Sequence, residues 1–155
     1  MKINYIKGDA TNPLSPGNKI ITHVCNDIGG WGRGFVMALS AKWKEPEMKY
    51  REWFASGENF ELGEMQLVQV ETDIWVANMI GQRDIRRDNH GNPPVRYDAI
   101  QKALAKVSDT ASAINASIHM PRIGCGLAGG DWIIMEKIVE EELSAKGIIV
   151  TVYDF

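Results

Sequence analysis

Cysteine, long apolar runs and surplus basic charge are all scarce in this sequence. Its 155 residues include two cysteines, Cys25 and Cys125, and their wide separation predicts free thiols in a reducing compartment. No apolar run approaches the roughly 20 residues that cross a bilayer, and the first residues do not form a signal peptide. We therefore expect a cytoplasmic protein with no membrane partner.

Net charge and composition narrow the class of protein further. The net charge of −3 argues against general nucleic-acid binding, which needs a basic surplus to displace counterions. The hydrophobic fraction of 45% and the charged fraction of 24% are those of an ordinary globular protein, and the length suits one domain. We expect a single domain over residues 1–155.

Strand-like and helix-like patterns alternate along the whole chain, in the order β, β, α, α, β, β, α, β, α, β. Strands separated by helices favour a mostly parallel sheet with helices on both faces, and a tight central hairpin makes the sheet mixed. The predicted strands are Ile3–Lys7, Lys19–Val24, Leu67–Val70, Ile74–Ile80, Ser117–Met120 and Ile148–Tyr153. The predicted helices are 35–43, one that begins at Pro46, Tyr97–Ile114, and one from Trp132 to about Lys146 with Asp131 as its N-cap.

The most informative feature is a pair of glycine-rich loops, Gly29–Gly34 and Pro121–Gly130, each between a strand and a helix. Such loops expose backbone N–H groups, and the helix that follows adds partial positive charge. Two of them at the ends of neighbouring strands predict a clamp for two adjacent phosphates. The spacing of their glycines matches neither the G-x-G-x-x-G motif of Rossmann dehydrogenases nor the P-loop motif, so neither kind of nucleotide site is indicated.

Four short elements, in this order, resemble those of the macrodomain family. They are Gly8-Asp9-Ala10-Thr11, His23-Val24-Cys25-Asn26 followed by Gly30–Val36, Met120–Leu127, and Thr151-Val152-Tyr153. The resemblance covers nearly the whole chain. It implies a three-layer α/β/α sandwich with a mixed sheet of about six strands, and ADP-ribose or a close derivative as the ligand.

The resemblance also implies roles for single residues. Asp9 would accept a hydrogen bond from the adenine amino group beside the Ala10 backbone, Asn26 would hold the distal ribose, and Tyr153 or Phe155 would pack on the adenine. Trp31 stands between glycines, where we expect an aromatic ring to cover the ligand. The remaining expected contacts with the distal ribose and the diphosphate are Gly30, Gly32, Gly34, Phe35, Ile123, Gly124, Cys125, Gly126 and Leu127.

The sequences of the two loops resemble those of two branches of the family. One branch removes terminal ADP-ribose with a lysine and sometimes an acidic residue, but here Gly81 or Gln82 and Ala128 stand in those places. The other hydrolyses ADP-ribose 1''-phosphate and has a His before the Asn of the first loop, which His23 matches. We therefore expect an ADP-ribose-1''-phosphate phosphatase in which His23 and Asn26 lie nearest the reaction. The alternatives are a non-catalytic ADP-ribose reader and a glycohydrolase with a non-standard catalytic group, the latter with ADP-ribosylated macromolecules as partners. No metal or cofactor is expected.

Overall fold

The computed structural model describes residues 2–155, which form one six-stranded sheet and four α-helices. The predicted order of elements is confirmed. The strands are β1 (Asn4–Lys7), β2 (Lys19–Asn26), β3 (Met65–Glu71), β4 (Ile74–Gln82), β5 (Ser117–Met120) and β6 (Val150–Asp154). The helices are α1 (Phe35–Lys42), α2 (Glu45–Ser56), α3 (Tyr97–Ile114) and α4 (Trp132–Glu142), with a 3-10 turn at Ser144–Lys146.

The sheet is mixed and mostly parallel, as predicted. Its spatial order is β1-β6-β5-β2-β4-β3, and all neighbours are parallel except the β3–β4 hairpin. β2 lies between β5 and β4 in the centre, whereas β1 is an edge strand whose four residues are exposed. Since parallel neighbours end at the same edge, the loops that follow β2 and β5 leave the sheet side by side.

Apolar side chains cover both faces of the sheet and produce the three layers. On one face, Ile20, Met120 and Val152 belong to a core with α3 and α4. The apolar residues of α3 recur every three or four positions and are buried there, which fixes the helix on the sheet. On the other face, Ile21 and Val76 share a second core with Leu39 of α1 and Tyr50 of α2.

The largest difference from the predicted elements lies at the end of α4. The helix stops at Glu142 rather than near Lys146, because Leu143 leaves helical torsion angles and is fully buried. Gly147 then ends the 3-10 turn in the left-handed region, at φ 84°. Within residues 2–155, no helix combines the length and the apolar character that crossing a membrane would need.

Candidate functional site

A cleft of about 410 Å³ opens at the carboxyl edge of the sheet, between the loop after β2 and the loop after β5. Leu127 of the second loop lies against Gly34 of the first, since a methyl group on Gly34 would stand 3.4 Å from Leu127 Cδ1. The two glycine-rich loops therefore meet at one site. The predicted residues that line this cleft are His23, Gly34, Phe35, Ile123, Gly124, Gly126 and Leu127.

The first loop presents unpaired backbone amides to the cleft. Gly34, at φ 82°, turns the chain into α1, which has no side-chain cap and no acidic residue in its first turn. The amides of Gly34, Phe35 and Val36 donate to no acceptor in the described part of the chain. An uncapped helix start of this kind attracts an anion through both its N–H groups and its dipole.

The second loop is folded back on itself by backbone hydrogen bonds, and several of its other amides have no protein acceptor. Gly130 N–H donates to the Gly124 carbonyl at 2.7 Å, and Gly129 N–H donates to the Gly126 carbonyl at 3.1 Å. Gly124 takes φ 71°, which favours glycine. Across residues 2–155 the loop amides that find no acceptor are those of Arg122, Ile123, Gly124, Gly126, Leu127 and Ala128.

Cys125 corrects one expectation. Its amide was predicted to bind the diphosphate, but the N–H donates to the Arg122 carbonyl at 3.3 Å and closes a turn. Its side chain is half-buried, and this burial raises the pKa of the thiol. Cys125 therefore shapes the loop, and its neighbours present the amides.

Asn26 is held by its own loop rather than extended toward the cleft. Its Oδ1 accepts hydrogen bonds from the amides of Ile28 and Gly30 at 3.1 and 2.9 Å, and its Nδ2 donates to the Gly30 carbonyl at 2.9 Å. The Tyr50 hydroxyl donates to the Asn26 carbonyl at 2.6 Å. The structure thus shows Asn26 bracing the first loop, and its contact with a ribose stays a prediction.

This brace leads to a stability prediction. We expect Tyr50→Phe to lower the free energy of unfolding by about 1–2 kcal/mol, because a buried carbonyl loses its donor. The Ile28 and Gly30 amides should also exchange with deuterium faster, since the loop is held less firmly. Urea unfolding and amide exchange measure the two effects. Tyr5→Phe is the control, because the exposed Tyr5 hydroxyl bonds to Glu136 and Trp132 and touches neither amide. Equal acceleration of exchange at Ile28 and Gly30 in both variants would contradict the role of the brace.

Trp31 corrects a second expectation. A ring between glycines was expected to have no packing role without a ligand, yet Trp31 is 5% exposed and belongs to the core beneath α1 and α2. Its indole N–H donates to Ser40 Oγ at 2.8 Å, and its ring packs edge-on against His23 and tilted against Tyr50. The glycines on either side of Trp31 gave no indication that its ring would point inward.

His23 lies at the end of the cleft, 2% exposed, on the central strand β2. Its Nε2 is 2.5 Å from Asn78 Oδ1 on β4, and its Nδ1 is buried without a partner among the described residues. Burial lowers the pKa of His23 to about 4, although the hydrogen bond with Asn78 opposes this shift. The imidazole is therefore neutral at physiological pH, with one polar ring atom unused by the protein.

A second pocket at the end of β1 and β6 is lined by Lys7, Gly8, Asp9 and Phe155. Asp9 Oδ1 accepts from the amide and hydroxyl of Thr11, both at 2.8 Å, and Oδ2 has no donor in the described structure. Tyr153 differs from expectation: it is 6% exposed and its hydroxyl lies 2.6 Å from His119 Nδ1. Phe155, fully exposed, is the aromatic residue beside Asp9.

The charged side chains around the cleft are arginines. Arg122 is tied away by two hydrogen bonds to Asp154, at 2.7 and 3.0 Å, and lies over the rings of Tyr5 and Trp132. Arg33 lines the cleft and forms no ion pair with the described residues. The cleft lining contains no lysine or carboxylate, and no group of three His, Cys, Asp or Glu side chains in residues 2–155 could hold a metal ion.

Three residues near the site were missed from the sequence: Tyr50, Gln66 and Asn78. Asn78 had a usable signal, since it is a lone amide in the apolar run of β4 and is fully buried. Gln66 and Tyr50 had none, because their role depends on which element packs against them.

Comparisons with known proteins place this fold in a family. A protein of unknown function from Bacteroides thetaiotaomicron has a solved structure with a TM-score of 0.99 and 60% sequence identity, covering 100% of this chain and 99% of that one. A macrodomain protein from Streptomyces coelicolor matches with a TM-score of 0.89 and 50% identity over 99% of each chain. The chain belongs to the macrodomain family. A scan against protein-family models gives no match.

Two further proteins are similar in sequence to this macrodomain. The chromodomain-helicase-DNA-binding protein 1-like of Danio rerio is 31% identical over 97% of this chain, which spans only 15% of that protein. The ADP-ribose 1''-phosphate phosphatase of Candida albicans is 26% identical, over 90% of this chain and 92% of that protein. The first likeness is confined to a small part of the larger protein, whereas the second covers nearly all of both chains.

Proposed function

We propose that this macrodomain binds ADP-ribose or a derivative and hydrolyses ADP-ribose 1''-phosphate to ADP-ribose and phosphate. One observation carries the binding proposal: unpaired amides of two loops converge on one cleft next to an uncapped helix start. Backbone N–H groups are suited to the oxygens of a diphosphate. The Asp9 carboxylate, with one oxygen unused, is suited to an amino group such as that of adenine.

The phosphatase proposal is supported by His23 and by the likeness to the Candida albicans enzyme. Water would attack phosphorus, forming one P–O bond while the P–O bond to the sugar breaks. The attacking water would give a proton to neutral His23 Nδ1, and the departing sugar oxygen, on the opposite side of phosphorus, would take its proton from solvent. Arg33, which has no ion pair in the described structure, would attract the dianionic phosphate.

A non-catalytic reader is the second candidate. It is favoured by the cleft lining, in which neither a lysine nor a carboxylate is available for glycosidic-bond cleavage. Gln82 and Ala128 stand where the glycohydrolase branch has its lysine and acid, and Ala128 is buried. A glycohydrolase acting on ADP-ribosylated macromolecules would therefore need another group.

Calorimetry and product assays test these candidates together. We expect ADP-ribose to bind with one-to-one stoichiometry in the micromolar range, and AMP to bind at least about tenfold more weakly because it offers no diphosphate to the second loop. Phosphate release from ADP-ribose 1''-phosphate should be catalytic. Binding without phosphate release would support the reader, and equal affinity for AMP and ADP-ribose would contradict the two-loop clamp.

A further inference from the structure

We propose that Asn78 is a positioning residue: its amide, oriented by Gln66 and by helix α2, holds His23 as the Nε2–H tautomer and so leaves Nδ1 as the hydrogen-bond acceptor at the cleft. This inference deepens the proposed function and rests on it where turnover is concerned. The tautomer itself is a property of the unliganded protein and is tested without any substrate.

Two backbone carbonyls of α2, which can only accept hydrogen bonds, determine how the Gln66 and Asn78 amides are oriented. Gln66 Nε2 donates to the Lys49 carbonyl at 2.9 Å, so the Gln66 amide must turn its Oε1 toward β4. Asn78 Nδ2 donates to that Oε1 and to the Pro46 carbonyl, both at 3.1 Å. Both protons of Asn78 Nδ2 are then used, and neither amide can flip without setting oxygen against oxygen.

The donor-to-acceptor direction of these hydrogen bonds then determines which nitrogen of His23 carries the proton. Asn78 Oδ1 is the atom 2.5 Å from His23 Nε2, and an amide oxygen has no proton to give. Nε2 must therefore carry the hydrogen, which leaves a lone pair on Nδ1 in a neutral ring. Nδ1 is buried, without a protein partner, on a residue that lines the cleft.

The surroundings of His23 keep the ring neutral. On its own strand the Cys25 sulfur lies 3.8 Å from Nε2, and burial raises the pKa of that thiol. Trp31 packs against His23 on one side and against Tyr50 of α2 on another, and burial raises the pKa of the Tyr50 hydroxyl too. Arg33, which lines the cleft, is cationic. None of these groups supplies a negative charge that would protonate Nδ1 at neutral pH. The atom therefore accepts from a hydroxyl or a water and is unsuited to a fully ionised phosphate oxygen.

Nitrogen-15 NMR of histidine-labelled protein tests the tautomer directly. The sequence has three histidines, and the spectrum of His23→Gln identifies the signals of His23. At neutral pH we expect a protonated Nε2 and an unprotonated Nδ1 for His23 in the unliganded protein. A protonated Nδ1, or a mixture of tautomers, would overturn the proposal whether or not ADP-ribose binds.

Two variants of Asn78 separate positioning from a merely structural role. Asn78→Leu removes the acceptor of Nε2–H, so Nδ1–H should become populated and kcat should fall at least about tenfold with little change in KM. Asn78→Asp keeps an oxygen that accepts from Nε2–H, so the tautomer should be retained and the added negative charge should raise the pKa of His23. The acid limb that His23 produces in the activity profile should then move upward. The second carboxylate oxygen replaces the donor to the Pro46 carbonyl and Gln66 Oε1, so this variant should also lose stability.

Asn18→Leu is the matched control, because Asn18 also donates to a backbone carbonyl, that of Ile114 at 2.8 Å, but does not line the cleft. It should lose stability and keep both the tautomer and kcat. If Asn78→Leu kept the wild-type tautomer and turnover, the positioning role would be wrong. If the tautomer is as expected and the wild type releases no phosphate, the phosphatase function fails and the assignment of the tautomer stands.

Discussion

Replacing Gly130 by alanine should weaken ADP-ribose binding by about 100-fold, the largest affinity change we expect from a single methyl group. A Cβ at this position would stand 2.4 Å from the Gly124 carbonyl oxygen, which is backbone and cannot rotate away. The Gly130–Gly124 hydrogen bond closes the second loop, so separating these residues would misdirect the free amides of Gly124 and Gly126. Losing one or two charge-assisted hydrogen bonds costs about 3 kcal/mol.

Calorimetry with ADP-ribose measures this loss, and Gly17→Ala controls for stability. Gly17 lies in a remote turn at φ 80°, with nothing within 4 Å of an added methyl group. Its substitution should cost about 1 kcal/mol of folding stability through backbone strain and leave the affinity unchanged. Wild-type affinity in Gly130→Ala would mean that the second loop does not hold the diphosphate.

The second large effect concerns His23 and turnover. His23→Gln should lower kcat for phosphate release by about 100- to 1000-fold, because the amide can still donate to Asn78 but cannot take a proton from water. ADP-ribose affinity should change little. His119→Gln is the matched control: His119 is equally buried, its pKa is also lowered to about 4, and it contacts Tyr153 rather than the cleft.

The pH profile gives the sign of the effect. The active form of His23 is neutral, and the pKa of about 4 lies below the ordinary value of 6.5. In wild type, kcat/KM should therefore show the acid limb near about pH 6 that the second ionisation of the substrate phosphate produces, and a further decline from His23 only near pH 4, measured before the protein unfolds. Turnover by His23→Gln at the wild-type rate would mean that His23 is not the base, and so would the absence of any difference between the two profiles near pH 4.

Local sequence patterns predicted the elements best where they were strongest. Helix Tyr97–Ile114 has buried apolar residues at helical spacing, ends at an asparagine in the left-handed region, and has the bounds expected from the sequence. Strand β2 is two residues longer than its apolar run, because pairing with β4 continues through a bulge at Cys25 and Asn26. Pairing of this kind depends on a partner strand and cannot be read from the sequence of the strand itself.

The site was predictable to the level of loops and no further. That two loops share a cleft follows from strands ending at one edge, and so could be inferred from the order of the elements. The partners of individual side chains could not. His23 and Asn78 are 55 positions apart, and the inward turn of Trp31 is decided by α1 and α2, which pack over it.

The two ends of the expected ligand rest on parts of the sheet that differ in rigidity. The amides that would hold the diphosphate follow β2 and β5, which are paired on both sides, whereas Asp9 follows β1, an edge strand bonded only to β6 and exposed along its length. Local opening costs least at such an edge. Base recognition would thus depend on a segment that frays, and a bound nucleotide would tie that segment to the rigid centre of the molecule.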